Sequence, residues 1–179
     1  MSHFLQLILG GARSGKSRFA LNQGDENSFD PKIYLATASA QDGEMSRRIE
    51  LHKAQRGLQW KTVEAPYDLI QALESCAISP KGLVVLDCAT LWISNLLCGI
   101  GGPKLSATQV ERVFEKLFRT LPQWSGNIRV VSNEVGLGIV PDNPLAREFR
   151  DLQGRFNQSL AAIASQVILM VAGLPQKIK

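Results

Sequence analysis

Phe4-Leu5-Gln6-Leu7-Ile8-Leu9-Gly10-Gly11-Ala12-Arg13-Ser14-Gly15-Lys16-Ser17 joins a short apolar run to a glycine-rich turn that closes on lysine and serine. The run over residues 4–9 reads as a buried strand, and residues 17–23 begin a helix. Between them Gly10, Gly15, Lys16 and Ser17 stand at the spacing G-x-x-x-x-G-K-S. Glycines let the backbone of Gly11, Ala12, Arg13 and Ser14 curl so that successive N–H groups converge on phosphate oxygens. The positive end of the following helix adds to their field. Lys16 is placed to reach the terminal phosphates, and the Ser17 hydroxyl to ligate Mg²⁺. The loop predicts triphosphate binding and says nothing of the reaction that follows.

Outward from this loop, strands and helices alternate. Strands are expected over residues 32–38, 60–63, 83–87, 128–132 and 167–171, the last of them the final strand that the sequence marks. Helices are expected over 44–55, 67–76, 90–98, 107–121 and 144–165, with Ser106 as an N-cap and Pro144 in a first turn. The run Leu83-Val84-Val85-Leu86 is apolar on both faces, as in a parallel sheet covered on both sides. The expected fold is a three-layer α/β P-loop fold with a mostly parallel sheet, as one domain over residues 1–179.

Composition agrees. The chain has 179 residues, 45% of them hydrophobic, which suits a covered sheet and excludes disorder. A net charge of +4 fits acidic small molecules, and there is no basic stripe that would suggest a nucleic-acid partner. Cys76, Cys88 and Cys98 form no CxxC pair and are expected as small apolar fillers in a reducing compartment. No signal peptide is apparent, and the apolar stretch 160–174 is interrupted by Ser165 and Gln166, so a cytoplasmic protein without membrane insertion is expected. Trp92 and Trp124 read as core or interface residues, and His3 as exposed.

Two further features bear on chemistry. Asp87 ends a buried strand, where a P-loop protein places its metal-holding carboxylate; a helix N-cap is a compatible second role. Arg48, His52 and Arg56 recur at four-residue spacing, along one ridge of the helix expected over 44–55. Two readings fit His52. It is a satisfied histidine at the edge of the core, or flanking cations keep its imidazole neutral and nucleophilic towards phosphorus. Residues 133–144, with Gly136, Gly138 and Pro141, form a loop at the ligand-binding edge, either structural or facing a substrate or subunit.

The runs GGARSGKSRFA, LATA and DGEMSRRIELHKAQRG, with Trp60 and Glu64, resemble the family of adenosylcobinamide kinase/adenosylcobinamide-phosphate guanylyltransferases. LVVLDCATLWISNLL, SNEVGLGIVPDNPLAREFRDLQGRFNQ and VAGLPQKIK extend the likeness over residues 7–179. The resemblance implies a RecA-like fold and a homotrimer. It also implies two reactions of vitamin B12 synthesis: phosphorylation of adenosylcobinamide by ATP or GTP, then GMP transfer from GTP to adenosylcobinamide phosphate. By the same likeness His52 is transiently guanylylated. Residues 10–17, Ala36, Thr37, Ala38, Lys53, Ala54, Gln55, Arg56, Glu64 and Asp87 contact nucleotide, and the basic ridge adds Arg48. Two other readings share the loop: a simple kinase of a small alcohol or nucleoside with a structural His52, and a RecA-type ATPase module that assembles on a partner.

Overall fold

The computed structural model describes residues 4–25, 29–39, 43, 47, 56–76 and 80–179. In chain order the elements are β1 (Phe4–Gly10), α1 (Lys16–Asp25), β2 (Lys32–Ala36), β3 (Trp60–Glu64), α2 (Leu69–Ser75) and β4 (Leu83–Asp87). They continue with α3 (Ala89–Cys98), α4 (Ala107–Thr120), β5 (Asn127–Val131), α5 (Pro144–Ile163), β6 (Gln166–Val171) and β7 (Leu174–Lys177). The helix expected over 44–55 lies outside the described residues, apart from Arg47, which is helical.

The strands form one sheet in the order β3-β2-β4-β5-β1-β6-β7. Every neighbouring pair is parallel except the antiparallel β6–β7 hairpin. Side chains of a strand alternate between faces, and each face of this sheet carries an apolar cluster. Leu5, Leu7, Val84, Leu86, Ile128 and Val130 pack beneath α2, α3, α4 and α5. Ile8, Tyr34, Val85, Val131 and Ile168 pack against Ala20 and Leu21 of α1. The expected three layers are therefore present.

The larger helical layer is centred on aromatic rings. Trp92 is fully buried, with ring centroids 5.9 Å from Phe114 and 6.0 Å from Phe156. Phe114 and Phe156 meet edge to face at 5.0 Å. Such pairs add about 0.5–1.5 kcal/mol each to the burial of their surface. Trp92 is thus a core residue as expected, and Trp124 packs partly buried against the same cluster. Ser106 caps α4 in a reciprocal box, accepting from Gln109 N while its own N–H donates to Gln109 Oε1. Asn143 Oδ1 caps α5 at Ala146 N, with Pro144 in the first turn.

Four expectations need correction. β2 ends at Ala36 rather than at residue 38, because Thr37 turns inward: its hydroxyl donates to Cys88 O at 2.7 Å and accepts from Cys88 N at 2.8 Å. α2 begins at Leu69 rather than at residue 67, because the carbonyls of Pro66 and Tyr67 are taken by Asn95 Nδ2 and the Trp92 indole N–H. Cys76 and Cys88 are buried fillers, but Cys98 is exposed at the end of α3. β6 is not the last strand. β7, all four residues of it exposed, hydrogen-bonds along one edge. Among the described residues no helix is long and apolar enough to cross a membrane.

Candidate active site

β1 delivers the chain to the carboxyl edge of the sheet, where ligands bind in open α/β folds. Gly10 has φ +148°, and a Cβ there would stand 2.5 Å from Met170 O and 2.7 Å from Ser14 Oγ. A side chain at this position would force the loop away from β6. Phe19 N donates to Gly15 O, which starts α1 within the loop. The far end of α1 is held by Arg129 of β5, whose guanidinium donates to Ala20 O at 3.0 Å and Gln23 O at 3.4 Å. A cation on the last carbonyls complements the helix dipole. It also fixes the helix whose other end carries Lys16 and Ser17.

Lys16 is buried, 6% exposed, and folds back over its own loop. Its Nζ donates to Gly11 O at 2.6 Å and to Ser14 Oγ at 3.5 Å. Burial lowers its pKa from the ordinary lysine value, against a smaller opposing pull from Cys88 and Asp87. An ammonium so desolvated gains most by meeting an anion. Gly11, Ala12 and Arg13 are exposed around it, and Ser17 is half-buried at the head of α1.

Strand register assembles what the sequence leaves scattered. Glu64, Ala36 and Asp87 stand side by side on β3, β2 and β4. Asp87 is in turn level with Val131 of β5, and Val131 with Ile8 of β1. Ala38 follows β2 half-buried, and Thr37 is fully buried with its hydroxyl committed to Cys88. Asp87 does not cap α3, since the N-cap position belongs to Cys88. The buried Cys88 thiol is pushed up to about 12, first by desolvation and then by Asp87, so it stays protonated.

Tyr34 is a site residue that the sequence did not reveal. Its hydroxyl donates to Asp87 Oδ2 at 2.6 Å, and burial followed by the Asp87 charge raises its pKa, keeping it a donor. Over its ring lies the Arg56 guanidinium, Cζ 3.6 Å from the centroid, with Nη1 donating to Thr62 Oγ1. One end of the basic ridge is thereby linked through Tyr34 to the carboxylate. Nothing short of strand register could have paired Tyr34 with Asp87. Arg48, His52, Lys53, Ala54 and Gln55 lie outside the described residues.

The donor set suits Mg²⁺. Ser17 offers a hydroxyl and Asp87 a carboxylate, both half-buried. Among the described residues no group of three or more His, Cys, Asp or Glu could hold a metal unaided. Mg²⁺ is commonly held by one or two protein oxygens, with water and phosphate completing its shell.

A second tether was also missed. The turn between β6 and β7 reaches back to the phosphate loop, with Gly173 N donating to Ser14 O at 3.1 Å. Ala172 and Gly173 both have positive φ there, 50° and 83°. Behind the end of β5, Ser132, Gln153 and Asn157 form a buried polar network. Ser132 Oγ donates to Asn157 Oδ1 at 2.7 Å, and Gln153 Nε2 donates to both, at 2.8 and 2.9 Å. Asn157 Nδ2 donates onward to Asn133 O.

Comparison with solved structures shows a likeness of fold. The chain superposes on an ATPase from the type III secretion system of pathogenic bacteria with a TM-score of 0.59 at 13% identity, covering 97% of this chain and 56% of that one. The sequence is 43% identical over 173 residues to the bifunctional adenosylcobalamin biosynthesis protein CobP of Pseudomonas aeruginosa, covering 97% of this chain and 96% of the relative. It is 40% identical over 182 residues to the bifunctional adenosylcobalamin biosynthesis protein CobU of Escherichia coli, covering 97% and 98%. A model of the family described as cobinamide kinase / cobinamide phosphate guanyltransferase matches residues 6–178. With the phosphate loop, the Asp87 row and near-complete coverage in agreement, the chain belongs to the cobinamide kinase / cobinamide phosphate guanyltransferase family.

Proposed function

We propose that the chain performs two successive transfers of vitamin B12 synthesis. In the first, the aminopropanol hydroxyl of adenosylcobinamide takes the γ-phosphoryl group of ATP or GTP. In the second, GMP passes from GTP to adenosylcobinamide phosphate, with release of pyrophosphate, to give adenosylcobinamide-GDP. The observation that carries this reading is the buried Lys16 in a complete phosphate loop, at the same sheet edge as Asp87, in a chain of this family.

Residues 10–17 cradle the phosphates and Lys16 meets their charge. Ser17 and Asp87 would hold Mg²⁺, which would supply positive charge against the phosphate oxygens. Ala36, Thr37, Ala38 and Glu64 form the neighbouring wall; the commitment of Thr37 Oγ1 to Cys88 gives that residue a positioning role. In the second reaction His52 attacks the α-phosphorus of GTP, the bond to the β-phosphate oxygen breaks, and pyrophosphate leaves. The acceptor phosphate then displaces the guanylyl group from the imidazole. Arg48, Lys53 and Arg56 neutralise phosphate charge, with Ala54 and Gln55 beside them. We place this activity in the cytoplasm, in a homotrimer, with no nucleic-acid or membrane partner.

Labelling with α-³²P GTP tests the covalent step. Wild-type protein should retain acid-labile label, and His52→Ala should lose it while the kinase step persists. Active protein that never takes label would remove the histidine intermediate and favour a kinase with a structural His52.

A further inference from the structure

Phosphoryl transfer to an alcohol is helped by a group that receives the hydroxyl proton. Lys16 and the loop N–H groups are donors, and Asp87 is engaged by Tyr34 and assigned to metal. Strand order points to another group. β5 lies between β1, which carries the phosphate loop, and β4, which ends in Asp87. The chain leaving β5 therefore emerges between the two.

That exit is tied to the loop strand by main-chain hydrogen bonds. Ser132 N donates to Ile8 O at 3.0 Å, and Glu134 N donates to Gly10 O at 3.1 Å. The backbone of Glu134 is thus one hydrogen bond from the first glycine of the phosphate cradle. Its position is fixed from behind: Asn133 N donates to Thr90 Oγ1 at 2.7 Å, and Asn133 O accepts from buried Asn157. Glu134 is half-buried as a residue, and the one hydrogen bond of its carboxylate among the described residues is a long one, 3.4 Å, from Gly136 N. Among the described residues no cation pairs with it.

A carboxylate beside a triphosphate site is electrostatically adverse to nucleotide binding. Its placement on a rigidly anchored turn therefore calls for a role in which negative charge or proton affinity is useful. We propose that Glu134 is the general base of the phosphoryl-transfer step; this rests on the function proposed above. As the acceptor oxygen bonds to the γ-phosphorus, its proton passes to the Glu134 carboxylate. The bond from γ-phosphorus to the bridging oxygen breaks, and the nucleoside diphosphate leaves with the electron pair. Glu134 then releases the proton to solvent. The second reaction has no such need, because its acceptor is a phosphate that is already anionic.

The two half-reactions, measured separately on Glu134→Gln and Glu134→Asp, test this. Glu134→Gln should lower kcat for phosphorylation of adenosylcobinamide by about 10²-fold or more, leave the KM for ATP no higher than wild type, and retain GMP transfer to pre-phosphorylated acceptor. Glu134→Asp should restore part of the lost kcat. A Glu134→Gln protein with kinase kcat within about threefold of wild type, far below what a lost base costs, overturns the assignment. So does an equal fall of both half-reactions with a lowered Tm, which would mark a structural residue. Wild-type protein assayed alongside separates the two levels: if it phosphorylates no adenosylcobinamide, the proposed function falls and the assignment of Glu134 with it.

Discussion

Two loops leave the carboxyl edge of the sheet from adjacent strands, and they are built in opposite ways. The phosphate loop, residues 10–17, is held along its length: by Glu134 N at Gly10, by Gly173 N at Ser14, and by its own lysine folded inward. The loop after β5 is held at its two ends: at its root by the buried Ser132–Gln153–Asn157 network, and next to α5 by Arg147, whose Nη1 donates to Pro141 O and Asp142 O. Its far part carries Leu137, Ile139 and Val140 at 88%, 97% and 59% exposure. A triphosphate presents the same charges and geometry every time, so a cradle fixed in advance loses little on binding. The other loop has a fixed root that sets where Glu134 stands, and a tip on which the fold does not depend.

Breaking the first loop should have the largest effect. Lys16→Ala removes the ammonium proposed to meet the terminal phosphates and should lower kinase kcat by about 10²–10³-fold, read from initial rates at saturating ATP. Next comes the root of the second loop. Asn157→Ala leaves Ser132, Gln153 and the Asn133 carbonyl short of partners in a buried site, and should cost about 1–3 kcal/mol in urea denaturation. A loss far smaller than that would mean the root is no firmer than the tip.

A subtler change sharpens the contrast on the phosphate side. Tyr34→Phe keeps the ring under Arg56 but removes the donor to Asp87. A lost outer-shell partner of this kind should raise the Mg²⁺ concentration for half-maximal activity by about tenfold, with stability little changed. The smallest effect is expected at the tip: Ile139→Ser should leave unfolding free energy within about 0.5 kcal/mol of wild type. A clear destabilisation there would show a packed tip and remove the distinction between the loops.

The difference between what could and could not be read from the sequence has the same origin. The phosphate loop is written in contiguous residues, since the strand, the glycine spacing and the lysine lie within one short run. Asp87 follows from its own strand. Tyr34, Glu134 and Arg129 act across strands, and which strands adjoin depends on the whole sheet. Leu174-Pro175-Gln176-Lys177 shows neither alternation nor burial and contains a proline, so nothing marks β7 as a strand until β6 is there to pair with it. Thr37 shortens β2 for a similar reason, its competing partner Cys88 being 51 residues away in the chain. His52 is legible as a position on a ridge of expected helix and, by family resemblance, as the guanylylated residue, and it lies outside the described residues.

The strand order also sets when the site comes into being. β1 is the first strand in the chain, yet both of its neighbours, β5 and β6, come late, and Leu5 N meets Ser165 Oγ across a separation of 160 residues. On a ribosome, the phosphate-binding sequence is translated before any strand that can seat it. Contacts this distant form slowly, and an unpaired apolar strand is prone to associate with others in the meantime. A chain arrested before β5 would carry every residue of the cradle and still bind no nucleotide. Nucleotide binding thus becomes possible only near the end of folding, and from then on it holds the finished sheet together by mass action.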